Sequence, residues 1–407
     1  MVIVGAGITG LTLACCLIRK GLRLAIIDKH EIRMLADKLS GNTAENSSAQ
    51  SLRVSAITMG SQQLLEQLHV WQSLAKTMLA PFQGVEVWEQ ASASRLFFNA
   101  ADTCQPHLGT IVKNLDLQAA CILQAKQAAE LDWFSAESVV AAIQKQRTLT
   151  VLSLASGASI STRLLVGADG AQSCVRQLAG IQSTARDYQQ QAIVATVQTV
   201  LTHGQTARQI FLPTGPLAFL PLGDPHLSSI VWTTTLAEAE KLKALSNTLF
   251  CLALASAFEY RLGQVEAVST RLSFPLQAQY CEHYIKPGIA LIGDAAHTIH
   301  PLAGQGANLG IADALCLAKM ILEAKQKQRN IGGIPTLRRY ERERRFQNRL
   351  MSSGVDFIKY AWATPHPLWQ GVRAFGIRAL DKTAWIKNPL VHYAMGKPSV
   401  SPLKSMV

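Results

Sequence analysis

The chain has 407 residues, of which 48% are hydrophobic and 16% are charged, and this balance excludes a disordered chain or a coiled coil. At about 100–200 residues per domain, the length predicts two or three domains. The net charge of +12 at pH 7 favours an anionic partner, either a phosphorylated nucleotide or an anionic membrane surface. With 6% aromatic residues and no repeat of basic and aromatic positions, we expect no nucleic-acid partner.

The cysteines and the apolar runs narrow the class of protein further. The eight cysteines form no CxxC pair and no Cys/His cluster at zinc spacing, so we expect reduced core thiols and no metal site. No apolar run reaches the ~18–20 residues that a transmembrane helix needs, and the glycine-rich start differs from a signal peptide. We therefore expect a cytoplasmic protein.

A strand–helix–strand unit opens the chain. Two apolar runs predict buried strands, and an apolar helix is predicted between them. In the turn before this helix, Gly5, Gly7 and Gly10 have the spacing of a dinucleotide-binding fingerprint. The first glycine allows a tight turn, the second lets a pyrophosphate approach the backbone, and the third lets the helix pack on the strand. Asp28, at the end of the second strand, can accept hydrogen bonds from ribose hydroxyls.

The middle of the chain is predicted to mix helices and strands. We expect a polar loop over 30–51, followed by a helix over 61–79, strands over 84–98, a helix over 114–130 and a hairpin over 139–154. A buried strand then ends at a Gly/Asp turn. From 191 to 275, alternating apolar and polar residues predict antiparallel strands, interrupted by a pair of helices near 237–258.

A second glycine-rich helix start is predicted near residue 306. A buried strand ends at Gly293 and Asp294, a turn with Pro301 follows, and residues 304–308 open a long helix. Helix N-termini carry free N–H groups and a partial positive charge, so two of them suit a long cofactor with a pyrophosphate and a ring that becomes anionic. A helix with six arginines is predicted over 336–351, and an aromatic, basic tail follows it.

Three of these segments resemble the cofactor motifs of the class A flavin monooxygenases. They are the fingerprint, the Gly-Ala-Asp-Gly turn at 167–170 and the block at 293–310. Together with residues 52–57 and 215–222, they are similar to the FAD-dependent hydroxylases of ubiquinone biosynthesis.

The stretch 223–232 and the helix that starts at Leu337 look closest to the bacterial branch that hydroxylates 2-polyprenylphenol, the 2-octaprenylphenol hydroxylases. The resemblance implies an α/β fold, in which a Rossmann-like FAD/NAD(P)-binding domain is interleaved with a substrate domain of mixed or antiparallel sheet, plus C-terminal helices. The expected division of the chain is 1–80, 110–182 and 283–335 for the FAD-binding domain, 81–109 and 183–282 for the substrate domain, 336–396 for the C-terminal helical region, and 397–407 for the tail.

The resemblance also implies cofactors and roles for individual residues. FAD binds without a covalent bond, NAD(P)H donates electrons and O₂ is a co-substrate. Asp28 holds the adenosine ribose, and Arg53 reaches the phosphates or the flavin. Asp169 braces the pyrophosphate region, and Asp294 binds the ribityl chain. The expected cofactor-binding residues are Gly5, Gly7, Gly10, Asp28, Arg53, Asp169, Gly293, Asp294, Pro301, Gly304, Gly306, Ala307 and Asn308.

We assign no catalytic acid or base from the sequence. His297 and His300 lie near the predicted flavin. We expect them to hydrogen-bond the proline turn, and acid–base work is the alternative.

The function implied by the resemblance is hydroxylation of a polyprenylphenol in ubiquinone biosynthesis. One alternative is a sibling hydroxylase that acts on another ring position or another phenol. Another is a flavin-retaining scaffold subunit that assembles with other ubiquinone-biosynthesis proteins. The tail over 355–395 is predicted to be either a helical cap or a face that docks on an anionic membrane or a partner, which would place the protein peripherally on the inner membrane.

Overall fold

The structure is a computed structural model that describes residues 1–32, 52–90, 95–146, 149–299, 304 and 306–363. The helices of this part are α1 (Ile8–Leu17), α2 (Met59–Gln67), α3 (Asn114–Ala125), α4 (Cys174–Leu178), α5 (Leu236–Ala244), α6 (Asn247–Ala257), α7 (Gly306–Gln326) and α8 (Ile334–Ala363). The strands are β1 (Val2–Val4), β2 (Leu24–Ile27), β3 (Val54–Thr58), β4 (Leu79–Phe82), β5 (Gly84–Glu89), β6 (Arg95–Asn99), β7 (Gly109–Lys113), β8 (Leu131–Phe134), β9 (Val139–Gln146), β10 (Leu149–Leu154), β11 (Ser159–Thr162), β12 (Leu165–Gly167), β13 (Ser183–Thr199), β14 (Thr206–Leu212), β15 (Gly215–Pro221), β16 (Leu227–Thr235), β17 (Val265–Val268), β18 (Leu272–Cys281), β19 (Ile285–Lys286), β20 (Ile289–Leu291) and β21 (His297–Thr298).

A mostly parallel sheet forms the first half of the fold. Its strand order is β19-β20-β12-β1-β2-β8, and only the pairing of β19 with β20 is antiparallel. The central strands are short apolar runs buried on both faces, as expected where helices cover a parallel sheet. Because β1 lies beside β12 and β12 lies beside β20, the turns that follow these three strands meet at one edge of the sheet.

A second, larger sheet has the order β21-β18-β13-β16-β15-β14-β5-β6, with β17 also paired to β13. Its pairings are antiparallel except for that of β14 with β5. Helices α5 and α6 cover one face, where Trp232 and Phe250 pack in a core with Ile193, Phe219 and Leu254. The small antiparallel sheets β3-β7-β4 and β11-β10-β9 complete the described fold.

Helix α8 packs on the first half of the fold, against α7 and β19. The buried Tyr340 hydroxyl donates a hydrogen bond to the Leu291 carbonyl at 2.7 Å, which ties α8 to the end of β20. No helix among the described residues is both long enough and apolar enough to span a membrane.

The α/β fold with its two interleaved sheet systems and C-terminal helices confirms the sequence-based fold class. Most of the predicted elements are present, but the helix predicted over 61–79 is wrong. Helix α2 ends at Gln67 because His69 has a left-handed conformation (φ 57°) and the Val70 N–H bonds back to the Leu65 carbonyl. Short 3-10 turns follow, and 79–82 forms β4 instead of helix. Helix α3 also ends early, at Ala125, whereas α8 continues beyond the predicted end of its segment.

Most of the polar loop predicted over 30–51, and the tail beyond residue 363, lie outside the described residues. The structure contains strands from three separate stretches in its parallel sheet. The predicted domain boundaries themselves stay a prediction.

Candidate active site

The three glycines of the turn after β1 differ in the space that surrounds them. Gly5 has φ +109°, and a Cβ added there would lie 2.3 Å from the Ala168 carbonyl oxygen. A Cβ added to Gly10 would lie 2.1 Å from the Gly5 carbonyl oxygen. At Gly7, by contrast, an added Cβ would meet no atom within 4 Å. Packing therefore requires glycine at positions 5 and 10, whereas position 7 exposes its backbone to open space.

Asp28 is tied to this same turn. One carboxylate oxygen accepts a hydrogen bond from the Ala6 N–H at 2.6 Å, and the other accepts from the His30 N–H at 2.8 Å. The side chain is half-buried at the end of β2, where the second strand of the opening unit was predicted to end. The carboxylate thus lies beside the start of α1 and keeps further acceptor capacity, since each ionised oxygen can accept more than one bond.

Asp169 has both of its carboxylate oxygens engaged within the second motif. They accept hydrogen bonds from the Ser173 hydroxyl at 2.5 Å and the Val175 N–H at 3.1 Å. The buried Arg176 guanidinium donates to the Ala295 carbonyl oxygen at 3.0 Å. Asp169 therefore shapes the turn into α4, and Arg176 joins the second motif to the third.

Asp294 lies in the turn Gly293–Ala295, three residues beyond Leu291, where the strand that was predicted to carry it ends. Its neighbours Gly293 and Ala295 are buried, whereas the Asp294 side chain is exposed. The surrounding protein raises the pKa of Asp294, although the positive charges of His297 and Arg53 oppose this effect.

Arg53 connects Asp294 to the second sheet. It is exposed at the start of β3, and its guanidinium carbon lies 5.6 Å from the ring centre of Phe274 on β18. This distance is within the range of a cation–π contact. The residue that was expected to reach the cofactor therefore stands between Asp294 and the larger sheet.

The N-terminus of α7 is the second place where the backbone is open. Gly304 has φ +61°, and α7 begins at Gly306, where an added Cβ would meet no atom within 4 Å. The N–H groups of Gly306, Ala307 and Asn308 belong to the first turn, so no carbonyl within the helix can accept from them. Pro301 lies outside the described residues, and the same is true of His300.

The side chain of Asn308 holds β3 beside α7. Its amide oxygen accepts from the Thr58 N–H at 3.0 Å, and its amide nitrogen donates to the Ala56 carbonyl oxygen at 2.8 Å. Thr9 of α1 fills the space left by two glycines, since Cβ atoms added to Gly293 and Gly310 would lie 2.9 and 2.2 Å from its hydroxyl oxygen. The first and third motifs are therefore in direct contact.

A buried charge network lies beneath the third motif. Asp313 of α7 has one carboxylate oxygen 2.6 Å from the His297 ring and 3.0 Å from the Gly293 nitrogen. Its other oxygen accepts from the Arg344 guanidinium of α8 at 2.6 Å. Burial alone would raise the pKa of Asp313, but His297 and Arg344 outweigh it and hold this pKa well below its usual range. His297 is buried and contacts Asp313, a partner that the sequence did not predict, and its predicted hydrogen bond to the proline turn stays a prediction.

Sequence reasoning missed Asp313 and Arg344. One usable signal was that Asp313 is the only acidic residue in the apolar stretch 306–322. Another was that Arg344 shares the spacing of the buried residues Leu337 and Tyr340 along α8.

The larger sheet presents mostly small side chains, some apolar and some with a hydroxyl group, on the face that carries Phe274. Ala192 is paired with Phe274 across β13 and β18, and Val194 is paired with Val231, which is paired with Ala218. Directly paired residues lie on the same face of a sheet. The bulkiest residues of 215–232, which include Phe219 and Trp232, pack towards α5 and α6. Only the smaller half of that stretch therefore lines the face opposite those helices.

Comparison with known proteins gives the family. Residues 1–352 match the FAD binding domain family. The chain is 34% identical over 395 residues to 3-demethoxyubiquinol 3-hydroxylase of Escherichia coli (strain K12), with 97% of each protein covered. This chain belongs to the FAD-dependent hydroxylases of ubiquinone biosynthesis, which are class A flavin monooxygenases. The hydroxylase is also 30% identical over 441 residues to the mitochondrial ubiquinone biosynthesis monooxygenase COQ6 of Danio rerio, covering 97% of this chain and 89% of that relative.

A solved structure shares the fold of the hydroxylase. The crystal structure of p-nitrophenol 4-monooxygenase PnpA from Pseudomonas putida DLL-E4 matches it with a TM-score of 0.77, at 14% identity and with 98% of each chain covered. The likeness at this identity concerns the fold.

The site of the hydroxylase fits FAD, its cofactor, because the backbone is open at Gly7 and Gly306, the starts of α1 and α7. When bound, FAD supplies the redox chemistry, taking electrons from NAD(P)H and activating O₂. The N–H groups at the start of α1 would hold phosphate, and the carboxylates of Asp28 and Asp294 would accept from hydroxyls. The partial positive charge at the start of α7 would stabilise negative charge on a neighbouring ring.

Proposed function

We propose that this hydroxylase inserts one oxygen atom into the aromatic ring of a polyprenylated phenol. The ring C–H, O₂, NAD(P)H and one proton give the ring C–OH, NAD(P)⁺ and water. The observation that carries this proposal is the position of Arg53, whose charge acts on Asp294 and whose guanidinium contacts Phe274 on the face of the larger sheet opposite α5 and α6. A ring with an apolar tail suits that face, because apolar surface is stabilised where small apolar side chains remove it from water.

The resemblance of 223–232 to the 2-polyprenylphenol branch supports hydroxylation of that phenol. A second candidate substrate is a demethoxyubiquinol, which is favoured by the 34% identity to the Escherichia coli enzyme named for that substrate. The two candidates differ in the substituents that the ring already carries when it reaches the enzyme. They therefore predict different accumulated intermediates in a strain that lacks this protein.

The test is deletion of the gene in its own host, followed by metabolite profiling. Accumulation of a polyprenylphenol that lacks the first added ring oxygen supports the proposal, and accumulation of a demethoxyquinol supports the second candidate. Growth under ¹⁸O₂ should label the new ring oxygen, because only one atom of O₂ is inserted. Unchanged ubiquinone with no accumulated intermediate would refute both.

The scaffold interpretation makes a separate prediction. A variant that folds but binds FAD weakly, such as Gly7→Ala, should restore ubiquinone to the deletion strain if the protein acts only by assembling others. Failure of that variant to restore ubiquinone, at normal protein abundance, supports catalysis. Oxidation of NAD(P)H that is stimulated by the phenol gives the same distinction with purified protein.

We further propose that the protein is cytoplasmic and that its C-terminal helical region contacts an anionic membrane surface, which would give it a peripheral location. The exposed side chains described on α8 include four arginines, Phe346, which is 70% exposed, and Leu350, which is 52% exposed. Basic residues beside exposed apolar residues are typical of interfacial helices.

Binding to vesicles of anionic lipid should weaken as salt is added, since salt screens surface charge. Deleting the chain after Gly354 removes the tail but keeps the buried contacts of Arg344. Loss of vesicle binding with unchanged flavin content supports docking through the tail. Binding that survives this deletion but is lost in Phe346→Ser supports docking through the exposed face of α8. Loss of folding would support the alternative in which the tail is a structural cap.

A further inference from the structure

One buried carboxylate contacts the chain on both sides of Asp294. Asp313 is fully buried in α7, and one of its oxygens accepts from the Gly293 N–H at 3.0 Å and lies 2.6 Å from the His297 ring nitrogen. Gly293 precedes Asp294 directly, and His297 follows it by three residues. Asp313 therefore fixes the chain on both sides of Asp294.

The charge partner of Asp313 comes from the C-terminal helix. Arg344 is 4% exposed, and its Nε donates to the second oxygen of Asp313 at 2.6 Å. Asn348, one turn further along α8, donates to that oxygen at 3.2 Å and accepts from Arg344 at 2.8 Å. Both carboxylate oxygens of Asp313 therefore accept hydrogen bonds, as a buried ion pair requires if it is not to be strongly destabilising.

The pair Asp313–Arg344 does more than join two helices, as a comparison with a second ion pair between α7 and α8 shows. Glu323 and Arg339 also join α7 to α8, at 2.8 Å, but Arg339 is half-exposed and neither side chain reaches the turn. A buried ion pair is in general a weak source of stability compared with apolar residues of the same volume. The hydrogen bond from Gly293 and the contact with His297 are what an apolar pair at 313 and 344 could not provide.

We propose that Asp313 is a positioning residue for FAD, which holds the segment from Gly293 to His297 in the shape that presents Asp294. Arg344 supplies the counter-charge, so the affinity for FAD depends on α8. This inference rests on the proposed contact of Asp294 with FAD. It requires nothing about which phenol is hydroxylated.

The test uses a double variant, Asp313→Asn with Arg344→Gln, which removes both charges together and leaves neither buried alone. The matched control is Glu323→Gln with Arg339→Gln, which removes the surface pair between the same two helices. Three quantities are measured on each full-length protein: the Kd for FAD, the melting temperature of the protein freed of flavin, and the visible circular dichroism of the bound flavin.

We expect the Kd for FAD to rise at least tenfold in the Asp313/Arg344 variant, with a changed flavin circular dichroism spectrum. In the control pair the Kd should stay within twofold of wild type. A lower melting temperature with an unchanged Kd and an unchanged flavin spectrum would show a purely structural role and would overturn the inference.

If the double variant does not fold, Asp313→Glu carries the test, because it keeps the charge but moves the acceptor away from the Gly293 N–H. Weaker FAD binding by that variant supports the inference, and wild-type binding overturns it. Asp294→Ala separates the two proposals. Normal FAD binding by Asp294→Ala refutes the contact of Asp294 with FAD. If Asp294→Ala loses FAD but the variants of Asp313 bind it normally, only the positioning role of Asp313 is refuted.

Discussion

The substitution Gly7→Ala separates cofactor binding from folding at the start of α1. Gly7 is the N-cap of α1 with φ −73° and ψ 174°, a conformation that alanine adopts without strain, and an added Cβ would meet no atom within 4 Å. Alanine restricts the unfolded chain and so stabilises by about 0.4–1 kcal/mol. Alanine is also a poorer N-cap than glycine, which costs about 0.5–1 kcal/mol. The two effects nearly cancel, and we expect the melting temperature of the flavin-free protein to stay near that of wild type.

The same methyl group should weaken FAD binding strongly. It would extend into the open space where a pyrophosphate approaches the backbone at Gly7. Loss of one hydrogen bond to a charged group costs about 1.5–3 kcal/mol, which corresponds to a Kd about 10- to 150-fold higher. The assay is titration of flavin-free protein with FAD, followed by the change in flavin fluorescence.

Gly10→Ala is the matched comparison, because it adds the same methyl group three residues away. Its Cβ would lie 2.1 Å from the Gly5 carbonyl oxygen and 3.1 Å from Ala168 Cβ. The overlap with backbone is about 1 Å, and we expect a loss of about 3 kcal/mol or more in stability. FAD binding by Gly7→Ala within twofold of wild type would refute this account of the turn. So would a Gly10→Ala protein as stable as wild type.

Three further outcomes are expected. Asp294→Ala should leave most of the purified protein free of FAD, because a carboxylate that accepts from ribityl hydroxyls contributes about 1.5–3 kcal/mol; full occupancy would remove that role. The pKa of Asp313 is lower in the folded protein than in the unfolded chain. The ionised carboxylate therefore contributes fully to stability above the pKa of the unfolded chain, about 4, and this contribution is lost as the pH falls towards the pKa of the folded protein. Thermal melting from pH 5 to pH 2 should show this loss, and Asp313→Asn should show a smaller slope. A thiol reagent should modify Cys104 first, because it is exposed, whereas burial raises the pKa of Cys281 to about 11 and that of Cys316 to about 12; mass spectrometry of the first adduct identifies the residue.

The sequence by itself determined the features that depend on neighbouring residues. A short apolar run followed by closely spaced glycines indicates a buried strand that turns into a helix, and β1 with Gly5, Gly7 and Gly10 has this form. The same reasoning identified the strands before Asp169 and Asp294 and the helix from Gly306, because an interior strand and a helix start leave local patterns. The family followed from those motifs and was confirmed.

Only the tertiary structure decided which of these pieces lie together. The order of β20, β12 and β1 in the sheet depends on pairings between residues more than a hundred positions apart, and no local pattern encodes them. The contact of Arg53 with Phe274 and the pairing of Asp313 with Arg344 depend on the same long-range packing. A buried charge can be recognised as part of a site only when its partner is known, because the cost of removing it from water is offset by that partner and not by its neighbours in sequence.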